Sequence, residues 1–184
     1  MNIAFIVYDQ MTMLDFIGAF DPITRLKELS YLPDLSWKIV AETDIIKDAN
    51  GLIVKADMIS PDLSQFDIIF IPGAKEICRD VSFINWVKTS ANCPLKVSVC
   101  TGSLILGLAG FLESKKATTH PNSFNELAQY AEVVEDKRIV DENDVITARG
   151  VSSSLDLGLY LCDKLAGHDA ALRIASIMDY EHYK

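Results

Sequence analysis

The run Ile3-Ala4-Phe5-Ile6-Val7 sets the first limit on what this chain can become. It is too short for a helix, consists mostly of β-formers and is apolar at every position. A strand with one wet face alternates polar and apolar residues. A strand that does not alternate is covered on both faces, which means a parallel sheet with helices over each side. Asp67 to Ile71 repeats the pattern, and Trp37 to Ala41 and Val97 to Val99 supply further β-rich segments. Between strands the apolar spacing turns helical. Met13, Phe16, Ile17, Phe20, Ile23, Leu26 and Leu29 share one face of a helix predicted over Thr12 to Leu29, with a kink or break at Pro22. Further helices are predicted over Phe83 to Thr89, Leu104 to Leu112, Ser123 to Tyr130 (with Pro121 suiting its start), Ser152 to Leu165 and Asp169 to Met178. Ala117 to Thr119 reads as a short strand, and Arg138 to Val140 can pair with Val145 to Ala148 across Glu142-Asn143-Asp144. Asn50-Gly51 is the strongest turn signal. Strands alternating with helices predict a three-layer α/β/α sandwich around a mainly parallel sheet. At 184 residues, a single domain over 1–184 is expected.

The segment Val97-Ser98-Val99-Cys100-Thr101-Gly102-Ser103-Leu104 passes from strand to helix with almost no loop. A cysteine at such an elbow is lifted clear of the sheet, as the serine is in Gly-x-Ser-x-Gly. The start of the following helix favours the thiolate, and its free amides can meet an oxyanion. The competing reading is that Cys100 is a small buried hydrophobe, as most free cysteines are. In open α/β sheets, sites form beyond the carboxyl ends of the strands. Cys100, Gly73-Ala74, Asp15 and His120 all fall there in the predicted order of elements.

Charge and cysteine usage narrow the function classes. Lys and Arg total 17 against 26 Asp and Glu, a net charge of −9. That balance argues against nucleic acid or an anionic membrane as partner, because neutralising phosphate takes basic residues. The four cysteines, Cys78, Cys93, Cys100 and Cys162, contain no CxxC pair of a zinc or redox site, and no metal is expected. The N-terminal residues lack a basic leader region, and no apolar run reaches the roughly 18 residues of a membrane span. The expectation is a cytoplasmic protein with free thiols.

The residues resemble the ThiJ/PfpI superfamily, the cysteine branch of the class I glutamine amidotransferase-like, flavodoxin-like fold. The resemblance rests on Leu14-Asp15-Phe16-Ile17-Gly18-Ala19-Phe20-Asp21, Ile71-Pro72-Gly73-Ala74, Val99-Cys100-Thr101-Gly102-Ser103-Leu104, Ala117-Thr118-Thr119-His120 and Gly150-Val151-Ser152-Ser153-Ser154-Leu155-Asp156, in that order. Within the superfamily the pattern is most similar to the isonitrile hydratases. The resemblance implies a Cys100 nucleophile with Asp15 near its sulfur and Thr101 beside both. It implies an oxyanion and substrate pocket from Gly73, Ala74 and the Thr101 amide, and a histidine at His120. It further implies a small-molecule hydratase or hydrolase with no cofactor, acting as a homodimer. Three positions depart from the pattern: Ala74 where a second Gly is common, Pro121 where a Trp often follows the histidine, and Ser153-Ser154 where Ala-Gly is usual.

Taken on their own, these residues have other readings. Thr12-Met13-Leu14-Asp15 has the spacing of a capping box with Asp in place of Glu, which would make Asp15 structural. If it instead lies against the thiol, burial and the thiolate's charge should hold its carboxyl neutral, and the two should titrate as a pair. His120 is a general base for Cys100 or a backbone-bonded residue at a strand–helix junction. Asp156 reads as a structural residue in the first turn of a helix. A glyoxalase- or deglycase-like activity, and a redox or ligand sensor without catalysis, remain alternatives for the same cysteine.

Overall fold

β1 (Asn2–Ile6) starts the sheet, and Ile3, Ala4, Phe5 and Ile6 are all buried, as a strand covered on both faces requires. The computed structural model describes residues 1–183. After β1 come α1 (Met13–Glu28), β2 (Ser36–Ala41), β3 (Ile45–Lys47), β4 (Ile53–Lys55), β5 (Met58–Ile59), β6 (Ile68–Ile71) and α2 (Val81–Lys88). They are followed by β7 (Leu95–Val99), α3 (Gly102–Leu108), β8 (Lys116–Ala117), α4 (Phe124–Leu127), β9 (Glu132–Val133), β10 (Ile139–Asp141), β11 (Val145–Ala148), α5 (Ser153–Ala166) and α6 (His168–Ile177). Seven strands form one sheet in the order β10-β11-β7-β6-β1-β2-β5. Neighbours run parallel except β10 with β11. The register sets Ile3 between Trp37 and Ile68, and Ser98 between Ile71 and Thr147.

Every residue of β6, β7 and β11 is buried. The helices account for this: α1, α5 and α6 pack on one another, α2 and α4 pack on α3, and both α3 and α5 contact β7. The result is the α/β/α sandwich that the alternating sequence pattern predicts. Aromatic edges fill the layer between α1 and the sheet, where Phe5 meets Phe16, Phe20 and Phe70 at centroid distances of 5.0–5.8 Å. Strand order reverses between β1 and β6, so the loops after these two strands open on the crevice where α/β folds place their ligands.

Several boundaries differ from expectation. α1 runs unbroken across Pro22. α5 is tied to it there, since Cys162 Sγ donates to the Pro22 carbonyl at 3.3 Å. α3 stops at Leu108, closed by the Phe111 N–H on the Leu106 carbonyl at 3.0 Å, although the apolar run continues to Leu112. The strand expected at Ala117 to Thr119 is only Lys116–Ala117, and it pairs with β9 outside the main sheet. Thr118 and Thr119 leave the ladder because they bond sideways instead. The Thr118 amide donates to Thr147 Oγ1, and Thr119 Oγ1 donates to the Cys100 carbonyl. The helix expected over Ser123 to Tyr130 is a 3-10 turn, Pro121–Ser123, followed by the short α4. Asn50-Gly51 does turn the β3–β4 hairpin, with Asp48 Oδ1 accepting the Asn50 and Leu52 amides at 2.8 Å each. Among the described residues no helix is long and apolar enough to cross a membrane.

Candidate active site

β7 delivers Cys100 from the sheet interior straight into a left-handed turn, with φ at +56°. A side chain rarely adopts that conformation, and about 1–3 kcal/mol of strain is typical of it. The neighbours hold it there. The Cys100 amide donates to the Ala148 carbonyl at 3.0 Å, and its own carbonyl receives Thr119 Oγ1 at 2.9 Å and Ser103 Oγ at 3.2 Å. Thr101 then starts α3, and its amide acts on the sulfur as a hydrogen-bond donor.

Asp15, in the first turn of α1, has no exposed surface. It is not a cap: Thr12 makes no side-chain capping bond, and Asp15 Oδ2 accepts the Gly73 amide at 3.1 Å across the crevice. Oδ1 is buried and unpartnered. Burial pushes the carboxyl up to about 7, while the neighbouring Cys100 thiol and the Gly73 amide, both donors, pull it down less strongly. Burial likewise pushes the Cys100 thiol up to about 12, and the Asp15 charge adds to the shift. The Thr101 amide lowers it, as a helix start should, but desolvation outweighs that contribution. Burial thus works against the thiolate that the sequence pattern favours. The two groups lie close enough to titrate as a pair, and burial raises both.

The loop after β6 supports both groups. Thr101 Oγ1 accepts the Ala74 amide at 2.9 Å and donates to the Ala74 carbonyl at 2.7 Å. The Gly73 and Ala74 amides are thus committed to Asp15 and Thr101 in this geometry, and neither points free at a would-be oxyanion. Gly73 is pressed against the elbow, where a Cβ would fall 2.6 Å from the Thr101 nitrogen and 2.7 Å from Cys100 Cβ. Tyr8, buried at the end of the first strand run, clamps the same loop through its hydroxyl on the Pro72 carbonyl at 3.0 Å. The sequence reading did not single out Tyr8. Nothing in Tyr8-Asp9 marks it, and only the fold brings it near Asp15 and Cys100; burial first, and then those two groups, raise its ionisation.

A cavity of about 270 Å³ opens above the sulfur. Cys100, Thr101, Ala74 and Val151 line it on the sheet side, and Thr12, Lys75, His120, Asn122 and Ser123 complete the wall. His120 shares the cavity with Cys100, but its Nδ1 accepts the Asn122 amide at 3.2 Å, which leaves Nε2 as the protonated nitrogen of the neutral ring. Lys75, on a loop, and Asn122 and Ser123, in the 3-10 turn, belong to no motif that points to a site.

The other cysteines do not line this cavity. Cys93 and Cys162 are buried, with sulfurs on the Leu95 and Pro22 carbonyls. Cys78 faces Asp80, and the adjacent Arg79 is turned to Glu126 at 2.6 Å. Asp156 is structural, held by Arg138 Nε at 2.7 Å and the Tyr180 hydroxyl at 2.6 Å.

With this geometry in view, comparison with known proteins places the chain among relatives. The profile of the DJ-1/PfpI family matches residues 1–164. The chain is 28% identical over 184 residues to isonitrile hydratase of Pseudomonas putida, covering 98% of this chain and 78% of that protein. It is 30% identical over 146 residues to protein DJ-1 homolog A of Arabidopsis thaliana, covering 74% of this chain but 37% of that one. Among solved structures it is similar to a THiJ/PfpI family protein from Pseudomonas syringae, with a TM-score of 0.87 and 28% identity, over 98% of this chain and 75% of that one.

Proposed function

This chain belongs to the DJ-1/PfpI family, and within it we propose a cysteine-dependent small-molecule hydratase that converts an isonitrile into an N-substituted formamide. The observation that carries the reading is the Asp15 carboxyl. It is wholly buried beside the nucleophile, with one oxygen unpartnered and its ionisation moved to about 7. A group poised there both accepts and returns a proton at neutral pH.

In this reading Asp15 takes the Cys100 proton as the sulfur adds to the terminal carbon of the isonitrile. It then delivers that proton to the same carbon, leaving a thioimidate on Cys100. Water adds to the carbon–nitrogen double bond, the carbon–sulfur bond breaks, and the formamide departs as the sulfur regains a proton. Thr101 and the Gly73-Ala74 loop position the pair and border the substrate, and His120 lies in the wall. The similarity to isonitrile hydratase over nearly the whole chain supports the same chemistry. The homodimer that goes with this reading is supported by the resemblance alone.

Incubation with cyclohexyl isocyanide tests the proposal. N-cyclohexylformamide should form with the wild type and not with Cys100→Ala, and Asp15→Asn should lower kcat by about 100-fold or more, at the low end of what a positioned acid–base group contributes. No product from the wild type, or equal product from Cys100→Ala, would sink the activity. Two competing uses of the thiol have less support. A peroxide sensor needs an accessible, low-pKa sulfur, whereas Cys100 is 5% exposed and pushed up to about 12. A glyoxalase-like route through His120 lacks a hydrogen bond from that ring to the sulfur among the described residues.

A further inference from the structure

Among the described residues, the cavity above Cys100 is lined largely by side chains that can donate hydrogen bonds, Thr12, Lys75, Thr101, His120, Asn122 and Ser123, and by no carboxylate. This is unusual in a chain with 26 acidic residues and a net charge of −9. Lys75 is the one cation in the wall, and it forms no ion pair among the described residues. The Asn122 and Ser123 side chains likewise make no hydrogen bond within the described protein, and Thr12 leaves its hydroxyl unused for capping. The acids nearby do not cancel Lys75. Glu126, in the adjoining recess, is held by Arg79 at 2.6 Å, and Asp15 lies beneath the sulfur in a site that disfavours its charge. Glu76 and Asp9 line recesses that Lys75 also borders, but neither lines the cavity itself.

An isolated cation among unpaired donors in an otherwise negative field is a receptor for acceptor-rich, negatively charged groups. We propose that this cavity takes a small substrate with an anionic terminus, a carboxylate in the simplest case, held by Lys75 with Asn122 and Ser123 while the reactive end sits over Cys100. For the isonitrile chemistry this rests on the hydratase reading; the recognition of charge does not.

Two arms test it. In the first, Cys100 alkylation is followed by mass spectrometry with iodoacetate and with iodoacetamide, which react alike and differ in charge. In Lys75→Gln the ratio of the iodoacetate rate to the iodoacetamide rate should fall about threefold to tenfold at low ionic strength. Lys75→Arg should keep the wild-type ratio, and 1 M salt should erase most of the difference. A ratio that is the same in the wild type and Lys75→Gln overturns the proposal. In the second arm, kcat/KM for isocyanoacetate is divided by that for its methyl ester, and the quotient should fall by a similar factor in Lys75→Gln. Should the wild type hydrate neither compound, the hydratase reading fails, while the alkylation ratio still decides the role of Lys75.

Discussion

A carboxylate without water around it is expensive to keep ionised, and Asp15 shows the consequence. Its ordinary value of 3.8 is raised to about 7, with burial the chief cause. Between those two pH values the folded chain holds a proton that the unfolded chain releases. Stability therefore falls as pH rises through that window, by a total on the order of 4 kcal/mol. Asp15→Asn removes the titration. We expect it to resist urea better than the wild type at pH 8, with the advantage disappearing by pH 4; parallel curves across that range would contradict the shift. Alkylation of Cys100 by iodoacetamide should in turn accelerate as pH passes about 7 and Asp15 becomes able to take the thiol proton, and that inflection should vanish in Asp15→Asn. Thr101→Val keeps the shape but strands the Ala74 amide and carbonyl, at roughly 2 kcal/mol, whereas Thr101→Ser retains both bonds. At this scale the sequence showed the elbow cysteine by its strand-to-helix setting, but spacing alone read Asp15 as a cap. The carboxyl's partner across the crevice, Gly73, lies 58 residues away and no local pattern announces it.

Asp15 is placed by how α1 and α5 meet. Ser154 Oγ donates to the Leu14 carbonyl at 3.0 Å, one residue before the acid, and Cys162 Sγ does the same to Pro22 further along. Removing the first tie with Ser154→Ala should cost about 1 kcal/mol, read as a Tm lower by about 2–4 °C, and should blur the pH inflection of Cys100 alkylation as Asp15 loosens. A Tm and an inflection both equal to the wild type would show that α1 needs no such anchor. Elements long enough to repeat their pattern were legible: α1, α5, α6 and the strands buried on both faces. β5, β8 and β9 are two residues each, too short for any periodicity, and their pairing is decided by tertiary position. α3 is shorter than its apolar run predicts, because the run continues into the turn beyond the helix, where Leu112 is buried all the same.

For the molecule as a whole, we propose that residues 1–184 unfold as one domain. A single transition seen alike by far-ultraviolet and tryptophan signals is expected, and separated midpoints would divide the chain. Sedimentation should report a homodimer, and a monomer at all concentrations would remove that part of the proposal. The sheet and its layers could be read from the sequence because continuous apolar strands permit few alternatives. The cavity could not, because its wall gathers residues 12, 74–75, 100–101, 120, 122–123 and 151 from separate parts of the chain. One feature of the sheet governs how the sulfur behaves in time. β7 lies inside the sheet with β6 and β11 bonded on either side and helices over both faces. Its amides should be among the last to trade hydrogen for deuterium, opening only when the entire chain does. On that expectation Cys100 hangs from the part of the protein slowest to open, and adaptation to different guests would fall to the loops that face it.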